Sequence, residues 1–334
     1  MQSILAVTVP FFALVLCGYL AARFHVLPES AIPGLNTFVL YVALPCLLFR
    51  FGAGSPILDL LNLSVLLVYL TSALLIVFFT VSFSLNKRVH LKDAAFGALV
   101  AAFPNTGFMG VPLLVALFGA QAAGPVICSM LADLFITSSV CLAVAQWHGA
   151  PGQGALASVR RALRGAVSNP LPWSIALGAG FSVAAIRLPG PLNVIVNMLA
   201  DAATPVALFT IGAVLLRASQ HRAAMIRANQ HSAAGKGRTL VRDYLPVALV
   251  KLLLHPLLVL TLGLAARAMG APLSNFQVMV LTLAAALPSA SSVSLLAERY
   301  GADNGRIARI ILTSTVLSFG TFSLAAWLFG VQAG

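Results

Sequence analysis

Four ionisable side chains interrupt long apolar stretches of this sequence. They are Asp133, Asp201, Lys251 and His255. A charge among apolar residues is costly unless it is paired, protonated or used to bind a ligand. Asp133 and Asp201 are therefore candidates to hold a proton or a metal cation, while Lys251 and His255, one helical turn apart, could attract an anion. For each residue, the alternative is a buried pair that joins two helices.

Two proline segments lie in equally apolar surroundings and offer a second kind of chemistry. They read Pro104-Asn105-Thr106-Gly107 and Pro288-Ser289-Ala290-Ser291-Ser292. Proline breaks a helix, and the helix that restarts beyond it begins with free N–H groups and a partial positive charge. Such a terminus can bind an anion, typically a carboxylate. We therefore predict a binding site where these segments meet, supported by charge from Lys251 or His255; the alternative is two simple kinks.

The composition indicates that lipid surrounds most of the chain. Of 334 residues, 60% are hydrophobic and 8% are charged, whereas soluble domains carry about 25% charged residues. The net charge of +12 comes from basic residues between apolar runs, which argues against nucleic-acid binding. The four cysteines lie within apolar runs at no metal-binding spacing, and they indicate neither disulfides nor a redox site: Cys17, Cys46, Cys128 and Cys141.

Ten apolar runs are long enough to cross a bilayer as helices, which takes about 20 residues each. The first is interpreted as a retained span because Arg23 follows it, whereas a secretory signal has its charge in front. A basic linker, 147–168, separates two groups of five, and 217–243 is predicted to be a flexible, solvated loop. The predicted spans are 4–23, 33–52, 61–85, 94–118, 124–146, 169–187, 192–216, 244–266, 276–298 and 307–330.

Basic residues predict the orientation of these spans, since they collect in cytoplasmic loops. With ten spans and the N-terminus outside, sixteen of the twenty Lys and Arg residues fall on the cytoplasmic side and three fall outside. Lys251 lies within a span. Arg50, one of the three outer residues, is predicted to extend toward the outer face. Both termini are therefore predicted to be non-cytoplasmic.

The two halves of the chain share a pattern at an offset of five spans. Spans two and seven both contain Pro-x-x-Leu-Phe-x-x-Gly, starting at Pro45 and Pro205, and spans four and nine contain the two proline segments. Five is odd, so the halves must have opposite orientations, as in many secondary transporters. The predicted fold is an all-α integral membrane protein with two inverted five-helix repeats, 1–146 and 169–334. Helices four and nine are predicted to be broken and to cross at the midplane.

These motifs resemble the auxin efflux carrier family over nearly the whole chain. The most specific is Phe103-Pro104-Asn105-Thr106-Gly107-Phe108-Met109-Gly110-Val111-Pro112-Leu113, and the Pro45, Pro205 and Pro288 segments agree with it. The resemblance implies a scaffold of spans 1, 2, 6 and 7, which often forms a homodimer. It also implies a moving domain of spans 3–5 and 8–10 that works as an elevator. Substrate would bind close to the family's crossover positions, which are Pro104, Asn105 and Pro288 here.

Within that family, the bacterial carriers of malonate, malate and similar acids fit this sequence better than plant auxin exporters. The long hydrophilic central loop of the plant proteins has no counterpart, because 147–168 is short. The resemblance therefore implies a secondary transporter of a small organic anion in the bacterial inner membrane. It would use no cofactor beyond a coupling proton or sodium ion.

Three other interpretations stay open at this stage. A symporter of the bile acid sodium type, a more distant fold resemblance, would take a bulkier amphipathic acid. An intramembrane enzyme could use Ser289 or Ser291 with His255 as nucleophile and base, but the sequence lacks His-Glu-x-x-His and Gly-x-Ser-x-Gly. A channel fits less well, since broken helices in inverted repeats are typical of alternating access. The sequence contains no nucleotide-binding Gly-x-x-x-x-Gly-Lys-Ser/Thr motif, so it does not indicate transport driven by ATP.

Overall fold

A computed structural model describes residues 2–54, 62–86, 89–147, 160, 163–165, 167–230 and 241–330. Within these ranges the chain forms helices and no β-strand, apart from one isolated antiparallel bridge. We number the helices in chain order. They are α1 Gln2–Arg23, α2 Glu29–Gly54, α3 Leu63–Ser84, α4 Leu91–Ala102, α5 Thr106–Phe118, α6 Ala120–Ala145, α7 Pro170–Val183, α8 Gly190–Gln230, α9 Val241–Ala268, α10 Asn275–Ala285, α11 Ser292–Arg299 and α12 Asn304–Leu328.

Each of the ten predicted spans contains one helix or a broken pair of helices. Seven helices in the described part of the chain are long and apolar enough to cross a membrane: α1, α2, α3, α6, α8, α9 and α12. Two of the predicted bounds are wrong. The sixth span, predicted over 169–187, contains a helix of only 14 residues. The loop predicted from residue 217 is helical as far as Gln230, because its Ala, Arg, Gln and Met residues favour a helix and no Gly or Pro interrupts them.

Polar caps mark where several of these helices begin. The Asn62 side chain accepts hydrogen bonds from the first turn of α3 at 3.0 and 3.1 Å, and Asn169 does the same for α7 at 3.0 Å. Ser274 and Gln277 form a reciprocal capping box at the start of α10. Lipid offers no hydrogen bonds, so these side chains satisfy N–H groups that would otherwise be unpaired.

Helices α1 and α8 approach each other closely through two glycines. A Cβ atom at Gly18 would lie 1.8 Å from the carbonyl oxygen of Phe209, and one at Gly212 would lie 1.9 Å from that of Val15. Gly212 is the last residue of the second Pro-x-x-Leu-Phe-x-x-Gly motif. The motif therefore ends at a helix crossing that only glycine allows.

Helices α2 and α7 make the corresponding contact. A Cβ atom at Gly52 would lie 2.7 Å from the carbonyl oxygen of Ile175, and one at Gly178 would lie 2.3 Å from that of Phe49. Gly52 ends the first copy of the same motif. Because α2 also packs against α8, these four helices form one group, which we call the glycine-packed set.

We expect Gly178→Ala to lower the free energy of unfolding by about 1–3 kcal/mol, the usual cost of overpacking. The new methyl group would have to displace the backbone of α2. Gly180→Ala is the matched control, because no atom lies within 4 Å of a Cβ atom there. Its expected effect is neutral or slightly stabilising. Thermal denaturation of the purified variants in detergent checks this, and equal stability of the two variants would contradict the close helix contact.

The other helices, α3–α6 and α9–α12, pack together as a second group, which we call the crossing set. A buried arginine, Arg306, joins the ends of several of them. Its Nε and Nη1 atoms donate to the backbone carbonyls of Asp243 and Asp93, both at 2.8 Å. A Cβ atom at Gly97 would lie 2.6 Å from this guanidinium, so the glycine makes room for it. The count of basic residues treats Arg306 as a loop residue, whereas the structure buries it at the start of α12.

The predicted orientation determines which loops an impermeant reagent reaches. Residues 86–93, 147–168 and 217–243 should face the cytoplasm. In a variant without the four native cysteines, Gln230→Cys should react with an impermeant maleimide only after the membrane is permeabilised. Arg187→Cys, on the predicted outer side, should react in intact cells. Labelling of residue 230 in intact cells would overturn the orientation.

Candidate functional site

The two broken helix pairs cross each other at their breaks. Helices α4 and α5 flank the first break, and α10 and α11 flank the second. The amide of Asn105 donates to the carbonyl oxygen of Pro288 at 2.8 Å, and the amide of Ala290 donates to that of Phe103 at 3.0 Å. These bonds form the isolated antiparallel bridge. Both breaks fall at the predicted proline segments.

Proline chemistry explains why both helices stop here. Pro104 and Pro288 have no N–H group to continue the helical hydrogen bonds. The next amide in each segment also leaves its helix: Asn105 bonds across the crossing, and the amide of Ser289 donates to Oγ of Ser314 at 3.2 Å. Ser314 lies on α12 and was not singled out from the sequence. The crossing is therefore held by the other broken helix and by α12.

Polar side chains at the crossing are buried, and several lack a partner. Asn105, Thr106 and Ser289 are 3%, 0% and 1% exposed. Neither Oγ1 of Thr106 nor Oγ of Ser289 has a hydrogen-bond partner, and the Asn105 side chain makes no cap to α5. Buried polar atoms are almost always paired in proteins. These groups are therefore available to a ligand.

The start of α11 faces a small cleft between the two sets of helices. Ser291 and Ser294 line this cleft together with Val214 and Leu215 of α8. Ser292, the first residue of α11, is exposed. On the other broken helix, Gly107 is half-buried, and a Cβ atom there would only touch Met130 at 3.6 Å.

A buried charged cluster lies within the crossing set. It contains Tyr69, Asp133, Lys251 and His255, all fully buried. The Tyr69 hydroxyl donates to Oδ2 of Asp133 at 2.6 Å, and the Tyr69 and His255 rings lie 5.8 Å apart. Lys251 Nζ lies 3.3 Å from His255 Nδ1 and donates to the carbonyl oxygen of Ala285 at 2.6 Å. The structure thus brings three of the four predicted ionisable residues together.

Asp133 has no direct ionic partner in this cluster. The ion pair between Arg50 and Asp201 lies outside this cluster. Lys251 interacts with Asp133 through space, and Asp133 Oδ1 has no hydrogen-bond partner. A carboxylate with one free oxygen deep in the protein must hold a proton or attract a cation.

Two π-helical turns hold the charged residues and could not be read from the sequence. Asp133 begins the turn Asp133–Thr137 in α6, and Lys251 lies in the turn Val250–Leu254 in α9. Single π-turns within α-helices occur frequently at functional sites. Tyr69 was likewise missed, although it is a lone tyrosine within an apolar span.

Asp201 lies apart from the buried cluster and the crossing. Its side chain is 70% exposed and pairs with Arg50 at 2.7 Å, across α8 and α2. The side chain points outward. Arg50, predicted to extend toward the outer face, has Asp201 as its partner.

The described ranges contain no group of three or more His, Cys, Asp or Glu side chains that could bind a metal ion. The four cysteines are free thiols.

Two broken helices that cross each other are typical of secondary transporters, and comparison with known proteins agrees. A model of the family described as "Membrane transport protein" matches residues 3–328. The chain therefore belongs to this family, which is that of the auxin efflux carriers, and the resemblance of its motifs is confirmed. It is a multi-pass membrane transporter and not an enzyme.

Several relatives align with nearly the whole chain. A "Putative malonate transporter" of Rhizobium meliloti is 30% identical over 96% of this chain and 94% of its own length. An "Uncharacterized transporter YfdV" of Escherichia coli K12 is 25% identical over 93% of this chain and 92% of its own. An "Uncharacterized transporter" of Methanothermobacter thermautotrophicus is 28% identical over 98% and 96%, respectively.

Proposed function

We propose that this protein is a secondary active carrier of a small organic anion with a carboxylate group. The observation that supports this most is the crossing itself. The hydroxyls of Thr106 and Ser289 are buried without partners, and two helices start beside them. Hydroxyl and amide donors next to helix N-termini suit a carboxylate, because each supplies an N–H or O–H to its oxygens.

The proposed binding groups come from both broken helices. Asn105, Thr106 and Gly107 lie at the start of α5, and Ser289, Ser291 and Ser292 lie at or before the start of α11. Pro104 and Pro288 shape the two breaks. Lys251 and His255 are fully buried in the crossing set and would add positive potential to the site. One relative is described as a "Putative malonate transporter", so malonate is the first substrate to test.

The contacts of the helices support an inverted repeat of two times five spans. The repeat relates the first span, α1, to the sixth, α7, and the second span, α2, to the seventh, α8. The glycine contact of α1 with α8 then corresponds to that of α2 with α7, and each copy of the repeated motif supplies its last glycine to one contact. Two equivalent contacts of this kind are expected when a pseudo-two-fold axis in the membrane plane relates the two halves.

We further propose that the glycine-packed set is the scaffold and the crossing set is the moving domain of an elevator. Polar contacts join helices within each set, such as Arg50 with Asp201 and Tyr69 with Asp133. Contacts between the sets include apolar ones, such as Phe12 with Phe319. Such contacts can slide without breaking hydrogen bonds.

Dimerisation and location are part of the same proposal. The Arg50–Asp201 pair is exposed on the side of the scaffold, and a charged pair facing lipid is costly. A second copy of the chain covering this face would remove that cost. The proposed location is the bacterial inner membrane with both termini outside.

Thermal-shift measurements on purified protein test the substrate class. Malonate and other small mono- and dicarboxylates, each with and without sodium, should raise Tm, as ligands that bind the folded state do. Stabilisation only by bulky amphipathic acids in the presence of sodium would favour a symporter of the bile acid type instead. No stabilisation by any carboxylate would contradict the proposal.

A further inference from the structure

Each broken helix leaves a backbone carbonyl without its helical donor. In an unbroken helix, the carbonyl of Ala101 would accept from the amide of Asn105, and that of Ala285 from the amide of Ser289. Both amides bond elsewhere, as described above. The carbonyl ends of α4 and α10 thus lack these helical donors although they are buried. They also hold the negative ends of two helix dipoles.

Helix α9 places a basic side chain at one of these carbonyl ends. Lys251 Nζ donates to the carbonyl oxygen of Ala285 at 2.6 Å. His255 lies one helical turn from Lys251 on the same helix, and its Nε2 atom has no hydrogen-bond partner. Lys251 Nζ and His255 Nδ1 are 3.3 Å apart. Lys251 therefore holds the carbonyl end of α10 from the neighbouring helix α9.

We propose that Lys251 is a positioning residue that caps α10 and thereby fixes the geometry of the crossing. A lysine near a helix C-terminus stabilises the last carbonyls and the dipole. The cap keeps the starts of α5 and α11 aimed at one place. In its effect on transport, this inference rests on the proposed function, because it takes the crossing as the substrate site.

A simpler role would be neutralisation of Asp133 by Lys251. In that case the contact with Ala285 would be incidental, and removal of the Asp133 charge would make Lys251 dispensable. If Lys251 is a cap, the crossing depends on it whether or not Asp133 is charged. A double variant separates the two roles.

Hydrogen–deuterium exchange of the purified protein without substrate is the test. In Lys251→Met, peptides containing the bridging amides of Asn105 and Ala290 should exchange about tenfold faster, as expected when a charged hydrogen bond is lost. Thr282→Val is the matched control. Thr282 is buried on the same helix, α10, and its hydroxyl bonds only within that helix, to Val278, at 2.8 Å. Exchange at the crossing should stay at the wild-type rate in this control.

The double variant Lys251→Met/Asp133→Asn should exchange as fast at the crossing as the single variant. If exchange at the crossing returned to the wild-type rate in the double variant, the role of Lys251 would be to neutralise Asp133, and the cap would be overturned. The same conclusion would follow if the double variant folded and Lys251→Met alone did not. Lys251→Gln is a milder change, since its shorter amide keeps a donor without the charge. Wild-type protection in a folded Lys251→Gln or Lys251→Met protein would also overturn the proposal.

A second measurement connects the cap to the binding of malonate. Lys251→Met should weaken malonate affinity by about tenfold, while Thr282→Val should leave it unchanged. If wild-type protein binds no carboxylate, the proposed function fails, but the exchange result still decides the cap. If malonate binds but hydrogen exchange at the crossing does not change in the Lys251 variants, the proposed cap is refuted and the proposed function stands.

Discussion

Asp133→Asn should give a folded protein that exchanges malonate across a membrane but cannot concentrate it against a gradient. Asp133 is fully buried, accepts one hydrogen bond from Tyr69 and has one oxygen free. The amide of asparagine keeps the shape and an acceptor for Tyr69, but it removes the charge that would hold a coupling proton or cation. Binding and exchange should survive, and only the link to the ion gradient should be lost.

Proteoliposomes loaded with the purified variant allow both measurements. Exchange of labelled malonate at equal concentrations tests the carrier step, and uptake under an imposed proton or sodium gradient tests coupling. Asp201→Asn is the control, since this carboxylate is exposed and paired with Arg50 on the scaffold. It should still accumulate malonate. Accumulation against a gradient by Asp133→Asn would refute coupling through this residue.

A structural role for Asp133 predicts a different outcome. If the carboxylate served only to balance Lys251, its removal would leave an uncompensated buried charge. The expected cost would be about 3–5 kcal/mol in the free energy of unfolding. Loss of exchange together with a large fall in Tm would therefore assign Asp133 to stability instead of coupling.

Asn105→Ala should abolish transport while leaving expression and thermal stability nearly unchanged. The backbone of Asn105 forms the crossing, and alanine keeps that backbone. The side chain makes no cap to α5 and is 3% exposed, so the fold gains little from the amide. Loss of its bonds to a bound carboxylate should reduce transport by about 100-fold or more.

Ser72→Ala is a control for this variant, because the Ser72 hydroxyl is buried but bonds within its own helix, to Val68. It should transport at nearly the wild-type rate. Transport by Asn105→Ala at the normal rate would show that the substrate site lies elsewhere.

The breaks at the crossing could be predicted because their cause is local. Proline removes a donor wherever it stands, and Pro104 with Asn105, like Pro288 with Ser289, shows this within two residues. The partner of each break could not be predicted, since pairing of Asn105 with Pro288 is a contact between distant parts of the chain. Only the matching offset of the two segments indicated that they belong together.

The charged cluster could be predicted only in part, for a related reason. The depth of Asp133 and the spacing of Lys251 and His255 follow from the spans. Tyr69 is 64 residues from Asp133, and the acceptor of Lys251 is a backbone carbonyl. A backbone group has no side-chain signature, so the cap on α10 could not be foreseen.

Asp201 shows the limit of arguments from depth alone. An apolar helix in a membrane shows no clear polar face, so its sequence does not reveal which way a single carboxylate points. The structure turns Asp201 outward to Arg50 and Asp133 inward to Tyr69. The two residues looked alike as candidates for coupling, and the contacts now distinguish them.

The most direct test of the central claim is counterflow in proteoliposomes that contain the purified protein. Vesicles loaded with unlabelled malonate should take up labelled malonate transiently, with saturation, and Asn105→Ala vesicles should not. Other small carboxylates inside the vesicles should drive the same uptake to the degree that they raise Tm. Absence of counterflow with every carboxylate tested, from a folded wild-type protein, would contradict the account.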